Sequence, residues 1–230
     1  MASVSAAHTA ADIQSVFDAY GLDGRSAPLS ARPGALRRVI DVTVSALLLV
    51  ALSPIMLLAA VLVKLTSRGP VLFKQTRAGQ NMRPFTMFKF RTMRVGAEDD
   101  RAFLMHLNEK TGPIFKISSD PRLTRVGRFL RRSSIDELPQ LFNVLLGDMT
   151  LVGPRPLWFP EAQQAVGPAR LRCSVKPGLT CLWQISGRSE LSYEEWVMLD
   201  LFYIQHRSFA LDLMILFQTI PAVLSARGAY

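Results

Sequence analysis

Two carboxylates stand side by side at Asp136 and Glu137, within Arg131-Arg132-Ser133-Ser134-Ile135-Asp136-Glu137-Leu138-Pro139-Gln140. Neighbouring residues on an α-helix point about 100° apart, so the pair is badly arranged to act as facing acid and base on one bond. It suits divided labour better, with one carboxylate attacking a phosphorus while the other holds a divalent cation. The free N–H groups and partial positive charge of a helix N-terminus favour a phosphate. The same field keeps an aspartate ionised and nucleophilic. A purely structural reading competes, because Ser134-x-x-Glu137 has the capping-box pattern and acids in a first turn are ordinary helix chemistry. The pair alone does not choose between the two.

A second signal is Val152-Gly153-Pro154-Arg155-Pro156. Two prolines stiffen the backbone around Arg155, so its guanidinium is presented with little entropy left to lose. A rigid arginine makes a good pyrophosphate clamp, although an exposed arginine in a rigid turn looks the same in sequence. The third is the run from Lys176 to Arg188, KPGLTCLWQISGR, where Gly and Pro accompany Trp183, Gln184 and Arg188. Such a loop could hold a base and a phosphate, and Trp183 could equally be a core residue. There is no dinucleotide glycine fingerprint, P-loop, HExxH or GxSxG. An Asp-x-Asp pair is missing too.

These residues must be positioned by the elements around them. Residues 39–63 form the one membrane-length apolar run. As a straight helix it would reach roughly 37 Å, against about 30 Å of hydrocarbon. Ser53-Pro54 interrupts it, and proline removes a backbone donor. Cations lie on both flanks: Arg32, Arg37 and Arg38 before, then Lys64, Arg68, Lys74 and Arg77 after. A simple span wants them on one side. A re-entrant hairpin bent at Ser53-Pro54, with both ends on the cytoplasmic face, satisfies both observations. Residues 70–94 alternate apolar with basic or polar side chains around Gly79 and Pro84, and predict short strands or a hairpin at the membrane surface. Helices are predicted over 11–20, 98–109, 135–146 (stopped by Gly147) and 193–206. Arg122, Arg125 and Arg128 recur every three residues, as on one helical face. Residues 209–225 are apolar but carry Asp212, Gln218 and Pro221, which suits an interface or a subunit contact better than a span.

The bulk numbers agree with a membrane setting. Of the 230 residues, 49% are hydrophobic, yet the net charge is +9. The cation excess implies an anionic partner, and the apolar content favours a membrane over nucleic acid. The two cysteines, Cys173 and Cys181, and the lack of a signal-peptide pattern point to a reducing, cytosol-facing location. His8, His106 and His206 are scattered without ligand spacing, so no zinc site is expected.

In their order along the chain these pieces resemble the bacterial sugar transferase family, also called monotopic phosphoglycosyl transferases. The resemblance is carried by Ser53-Pro54, FKQTRAG, FKFRTM, SSIDELPQLFNVLLGDMTLVGPRP and KPGLTCLWQISGR, and covers nearly everything from Leu36 onward. It implies an α+β, helix-dominated fold. Residues 1–34, Ala/Ser-rich with Pro28 and Pro33, read from composition as a loosely ordered lead-in, and 35–66 would be the re-entrant helix. Residues 67–230 would form a small cytosol-facing catalytic domain with interfacial amphipathic helices, on the bacterial inner membrane. It also implies ping-pong chemistry. Asp136 attacks the β-phosphorus of a UDP-sugar, releasing UMP, and polyprenyl phosphate (undecaprenyl phosphate) then takes the sugar phosphate. Glu137 would bind Mg²⁺. Arg131 and Arg155 fall where the family places phosphate-binding arginines; Lys89 and Arg91 match its basic pair, and Gln184 and Arg188 its donor loop. A homodimer is a further expectation. Gly112–Ile117 and the C-terminal sequence are similar to members that start exopolysaccharide on glucose or galactose rather than on an N-acetylated sugar. One departure is Cys181, where the family commonly has glycine; a positive φ there would reshape the donor loop. The rival classes are a basic membrane-bound scaffold and a lipid-phosphate hydrolase.

Overall fold

The long apolar run becomes a single helix, α1 (Ala35–Thr66), in a computed structural model that describes residues 34–109, 114–165, 168–225 and 228. The helix expected over 11–20 lies outside the described residues. α1 keeps helical backbone through Ser53-Pro54 rather than ending there. Pro54 deprives the Val50 carbonyl of its donor four residues on, and the Ser53 hydroxyl supplies one instead, Oγ to Val50 O at 2.8 Å. By length and composition α1 could cross a membrane.

The alternating segment folds as expected into an antiparallel hairpin, β1 (Leu72–Ala78) and β2 (Pro84–Phe90), with Phe73 opposite Lys89. Short helices follow: α2 (Arg125–Arg132) and α3 (Gln140–Leu146). α3 stops at Gly147, whose φ of 92° gives the left-handed C-terminal cap that favours glycine. Strand β3 (Thr150–Val152) leads through α4 (Phe159–Gln164) and α5 (Pro168–Leu171) to β4 (Gly178–Thr180). β3 and β4 pair in parallel, Thr150 beside Gly178 and Val152 beside Thr180. Their backbones nearly touch, since a Cβ on Gly178 would sit 2.0 Å from Gly153 N. The chain closes with α6 (Leu182–Ile185), α7 (Tyr193–His206) and α8 (Phe209–Leu224). The result, among the described residues, is a helix-dominated α+β fold with two small sheets.

Three expectations are corrected. Residues 98–109 form two 3₁₀ turns, Asp99–Arg101 and Met105–Leu107, rather than one helix. Arg122 does not share a helical face with Arg125 and Arg128. It precedes α2 and is buried on Asp120, with Nη2 to Oδ2 at 2.6 Å. The predicted helix 135–146 is split into a 3₁₀ turn, Ile135–Glu137, and α3. Ser134 sits at φ 57° with no side-chain cap. The capping box that Ser134 suggested occurs at Ser192 and Glu195 instead, starting α7.

Two cores involve α1, and a third gathers Ala78, Leu157 and Ala162. The larger of the first two gathers Met87, Leu141, Met149, Leu182, Leu199 and Ile215 between β2, α3, β3 and the three C-terminal helices. The smaller joins Ala59 and Val63 of α1 to Phe90 and Leu130. Burying a side chain of leucine size contributes roughly 1.5–3 kcal/mol. α1 is also fastened by polar contacts near its start. Arg38 donates to Val144 O at 2.5 Å and Leu145 O at 2.7 Å, satisfying carbonyls left over at the end of α3. Asp41 accepts from Thr150 Oγ1 at 2.8 Å and from Leu151 N at 3.0 Å. Arg37 pairs with Asp212 of α8.

Candidate active site

The parallel pairing of β3 and β4 sends both strands out at the same end of the body. Arg155 follows β3 by three residues and Gln184 follows β4 by four, so the two loops emerge side by side. The 3₁₀ turn carrying Asp136 and Glu137 packs against β2. On such a turn successive side chains diverge by about 120°, which separates the two carboxylates further than an α-helix would.

Their surroundings differ sharply. Glu137 Oε1 takes Lys89 Nζ at 2.7 Å and Arg155 Nη2 at 2.7 Å, while Oε2 lies 3.4 Å from Arg155 Nη1. Burial works to raise its pKa, but the charges and hydrogen bonds of Arg155 and Lys89 outweigh this and hold it well below the usual carboxylate range. Among the described residues no group hydrogen-bonds the Asp136 carboxylate, although the residue is only 6% exposed. Burial pushes its pKa up to about 6; Glu137 adds to the rise, while Lys89, Arg131 and Arg155 oppose it. One acid is therefore pinned between cations and the other is left unbonded within their field.

The rest of the predicted set divides. Arg131 donates Nε to Thr92 Oγ1 at 3.1 Å and acts on Asp136 through its charge. Arg91 is not brought to the acids. It donates to Arg68 O at 2.5 Å and Ser67 O at 3.0 Å, tying the end of α1 to β2. Gln184 and Arg188 are both buried, and Arg188 Nε donates to Gln184 O at 3.3 Å. Arg188 holds a left-handed φ of 53°, uncommon for a non-glycine residue, and the Glu137 charge reaches it. Beside them lies a cavity of about 290 Å³ bounded by Gln184, Ser186, Arg188 and Leu191. That is the low end of the roughly 300–1,000 Å³ typical of small-molecule sites. Cys181 has φ −161°, an extended backbone open to any residue, so the cysteine imposes no reshaping on this loop.

Sequence reasoning missed several residues that shape the site. Arg77, within FKQTRAG, donates Nη1 to Pro156 O at 3.1 Å and feels both Arg155 and Glu137. Arg172 and Asp200 form a buried ion pair behind Arg155. Nothing in their spacing announces either. Asn143, fully buried in α3, completes the free edge of β2: it accepts from Phe88 N at 3.0 Å and donates to Thr86 O at 2.7 Å. Lys89, the residue after Phe88 in the same strand, pairs with Glu137. Asn143→Ala is expected to strand both backbone groups and destabilise the fold by about 2–4 kcal/mol. A thermal melt in detergent should drop by roughly 5–12 °C; a fall under about 2 °C would mean water substitutes for the amide without loss.

Five cations (Lys89, Arg77, Arg131, Arg155 and Arg188) thus surround or electrostatically reach two carboxylates. The excess positive charge fits an anion of two or more negative charges, such as a diphosphate. Among the described residues no three His, Cys, Asp or Glu side chains gather to hold a metal by themselves. A Mg²⁺ site needs only one or two carboxylates when phosphates and water supply the other ligands, and Glu137 Oε2 is loosely enough held to serve.

The bacterial sugar transferase family matches residues 33–226 of this chain. The chain is 41% identical over 201 residues to the exopolysaccharide production protein ExoY of Sinorhizobium fredii, covering 86% of this chain and 89% of that relative. It is 47% identical over 162 residues to the galactosyl transferase CpsE of Streptococcus agalactiae, covering 70% of this chain and 36% of that relative. It is 44% identical over 215 residues to the undecaprenyl-phosphate glucose phosphotransferase of Komagataeibacter xylinus, covering 88% and 38%. It thus spans most of the first and well under half of the other two.

Proposed function

Because the chain belongs to the bacterial sugar transferase family, we propose that it is a phosphoglycosyl transferase moving hexose 1-phosphate from a UDP-sugar to undecaprenyl phosphate. The observation that carries this reading is the opposed state of the two neighbouring acids. Asp136, unbonded and held among cations, is the nucleophile; at neutral pH it is mostly ionised. Its carboxylate oxygen forms a bond to the β-phosphorus, the bond from that phosphorus to the bridging oxygen breaks, and UMP leaves. An oxygen of undecaprenyl phosphate then attacks the same phosphorus and the Asp136–phosphorus bond breaks, restoring the carboxylate. Arg155, Arg131 and Lys89 offset the charge that develops on the phosphoryl oxygens. Glu137 keeps Lys89 and Arg155 in place, and its free lone pairs would hold Mg²⁺. When bound, the cation supplies charge neutralisation on the diphosphate. Gln184, Arg188 and the adjoining cavity receive the remainder of the donor. Glucose and galactose are the favoured sugars, in keeping with the names of two of the relatives.

The same reading puts the body on one membrane face, the cytoplasmic face of the inner membrane. Both ends of α1 support it: Arg37, Arg38 and Asp41 near its start and Ala59 and Val63 near its end all pack on the one catalytic body. A helix crossing fully would carry its far end away from that body. Between these ends Val50, Leu57 and Leu58 stay exposed, an apolar face open to lipid. On α8, Phe209, Leu213, Phe217, Ile220 and Leu224 form an exposed apolar stripe at helical spacing, suited to lying in the interface.

The test is UMP release from UDP-glucose and UDP-galactose by detergent-purified protein with Mg²⁺ and undecaprenyl phosphate. Lipid-dependent release is expected, together with a sugar-phosphate mass added at Asp136 when the lipid is withheld. Phosphate released from the lipid without any nucleotide would establish a hydrolase instead. Release from N-acetylated donors alone would move the sugar assignment.

A further inference from the structure

Arginine side chains lose much rotamer freedom when held in one geometry, so a clamp needs support from behind. The loop carrying Arg155 is fastened at four consecutive carbonyls. Pro154 O accepts from Gly178 N at 2.9 Å, and Leu157 O accepts from Ala78 N at 3.0 Å. The two carbonyls between them are taken by charged side chains. Arg172 Nη2 donates to Arg155 O at 3.5 Å, the longest of the four, and Arg77 Nη1 donates to Pro156 O at 3.1 Å.

Arg172 is itself rigidly held. It is 3% exposed, and Asp200, its partner, is 0% exposed. Asp200 Oδ2 receives Arg172 Nε at 2.7 Å and Nη2 at 2.6 Å. The Arg172 guanidinium lies 4.3 Å over the Trp196 ring, Trp196 packs 5.1 Å from Trp183, and Arg155 lies 5.2 Å over Trp183. Arg172 therefore reaches Arg155 by two routes, through its backbone and through a pair of indole rings. A buried ion pair is a poor source of stability, since apolar residues of similar volume often do as well or better. Stability alone does not account for placing one here. Neither Arg77 nor Arg172 hydrogen-bonds Asp136 or Glu137, so neither acts on the acids by contact.

We propose that Arg77 and Arg172, the latter fixed by Asp200, are positioning residues that hold Arg155 in register with Glu137 by gripping the carbonyls of its loop. The proposal rests on the reading of Arg155 as a clamp for the donor's diphosphate.

UDP binding to the detergent-purified full chain tests it, measured calorimetrically for wild type, Arg155→Ala, Arg172→Lys and the double variant. Arg155→Ala should weaken binding about 10- to 100-fold, as expected for losing a charged hydrogen-bond partner. Arg172→Lys keeps the charge but loses the planar fork. It should cost about 5- to 20-fold alone and less than about 2-fold once Arg155 is gone, the non-additivity of residues acting as a unit. Losses that multiply, or an Arg172→Lys affinity within about 2-fold of wild type, would overturn the positioning role while leaving the clamp intact. Unchanged binding by Arg155→Ala would overturn the clamp reading and the proposal with it. Should Arg172→Lys not fold, Arg77→Lys, at a half-buried position on the neighbouring carbonyl, enters the same cycle with the same outcomes.

Discussion

Asp136→Asn is expected to cut lipid-dependent UMP release by at least about 10³-fold and, in the same molecule, to raise the melting temperature. The first effect follows from nucleophilic catalysis: an amide cannot form the phosphoryl–enzyme bond, and what activity remains comes from binding and electrostatics alone. The second follows from burial. A carboxyl pushed up to about 6 is costlier to ionise in the folded chain than in the unfolded one. Between about pH 4 and pH 6 the native state holds the extra proton, so stability rises as pH falls through that window and is lowest above it. Asparagine mimics the protonated form at every pH. The gain at pH 8 should be about 1–3 kcal/mol, or roughly 2–10 °C, and should shrink towards zero near pH 4. Wild-type turnover should show an acid limb near pH 6 for the same reason. Melting curves at pH 8 and pH 5 check this beside intact-protein mass spectra. A lower melting temperature at pH 8, or a sugar-phosphate adduct on the asparagine variant, would sink the assignment.

Glu137→Gln should push stability the other way while also disabling the enzyme. Here the cations win over burial and the carboxyl is held low. A depressed carboxyl contributes stability that is fully present above its unfolded value near 4.5 and is lost only as pH falls through the folded value in strong acid. Glutamine leaves Lys89 and Arg155 buried without their counter-charge, and breaking such a pair from one side costs about 3–5 kcal/mol. A melting temperature lower by roughly 6–15 °C at pH 7.5 is expected, with UMP release down at least about 10²-fold. Titrating Mg²⁺ against release should show a weaker dependence in the variant. Unaltered stability would mean Lys89 and Arg155 find other partners. Two residues one position apart thus pull the fold in opposite directions, and a single pair of melts separates their roles.

Much of this was written in local sequence. The period-two alternation within residues 70–94 and Gly147 at the end of α3 each dictate structure over a few residues, and the hairpin and the helix stop follow from them. The acids and Arg155 were legible as candidates because adjacent carboxylates and a proline-flanked arginine are unusual in themselves. What stayed hidden is what depends on distant partners. Ser134 and Glu137 have a capping pattern, yet Lys89 and Arg155 claim Glu137, and the turn tightens to 3₁₀ with Ser134 left-handed. Residues 98–109 carry helical composition but close only two short turns, with Arg101 drawn to Glu161 and the Trp158 ring. Arg122 keeps the spacing of its neighbours and is captured by Asp120 two residues back. Asn143, Arg172 and Asp200 look like ordinary surface residues until the fold buries them.

The docking of α1 has a consequence beyond attachment. One stripe of this helix forms a wall of two cores, and Asp41 and Arg38 lock it to β3 and α3. The anchor is therefore not a tether on which the enzyme swings, but a ruler. If the body lies on the membrane as proposed, the depth of α1 in the lipid fixes the height of Asp136 above the plane of the phosphates. Bilayer thickness, or a change in how far the Ser53-Pro54 region descends, would then act as a tuning parameter for encounter with the lipid carrier, without altering any residue that touches the substrate.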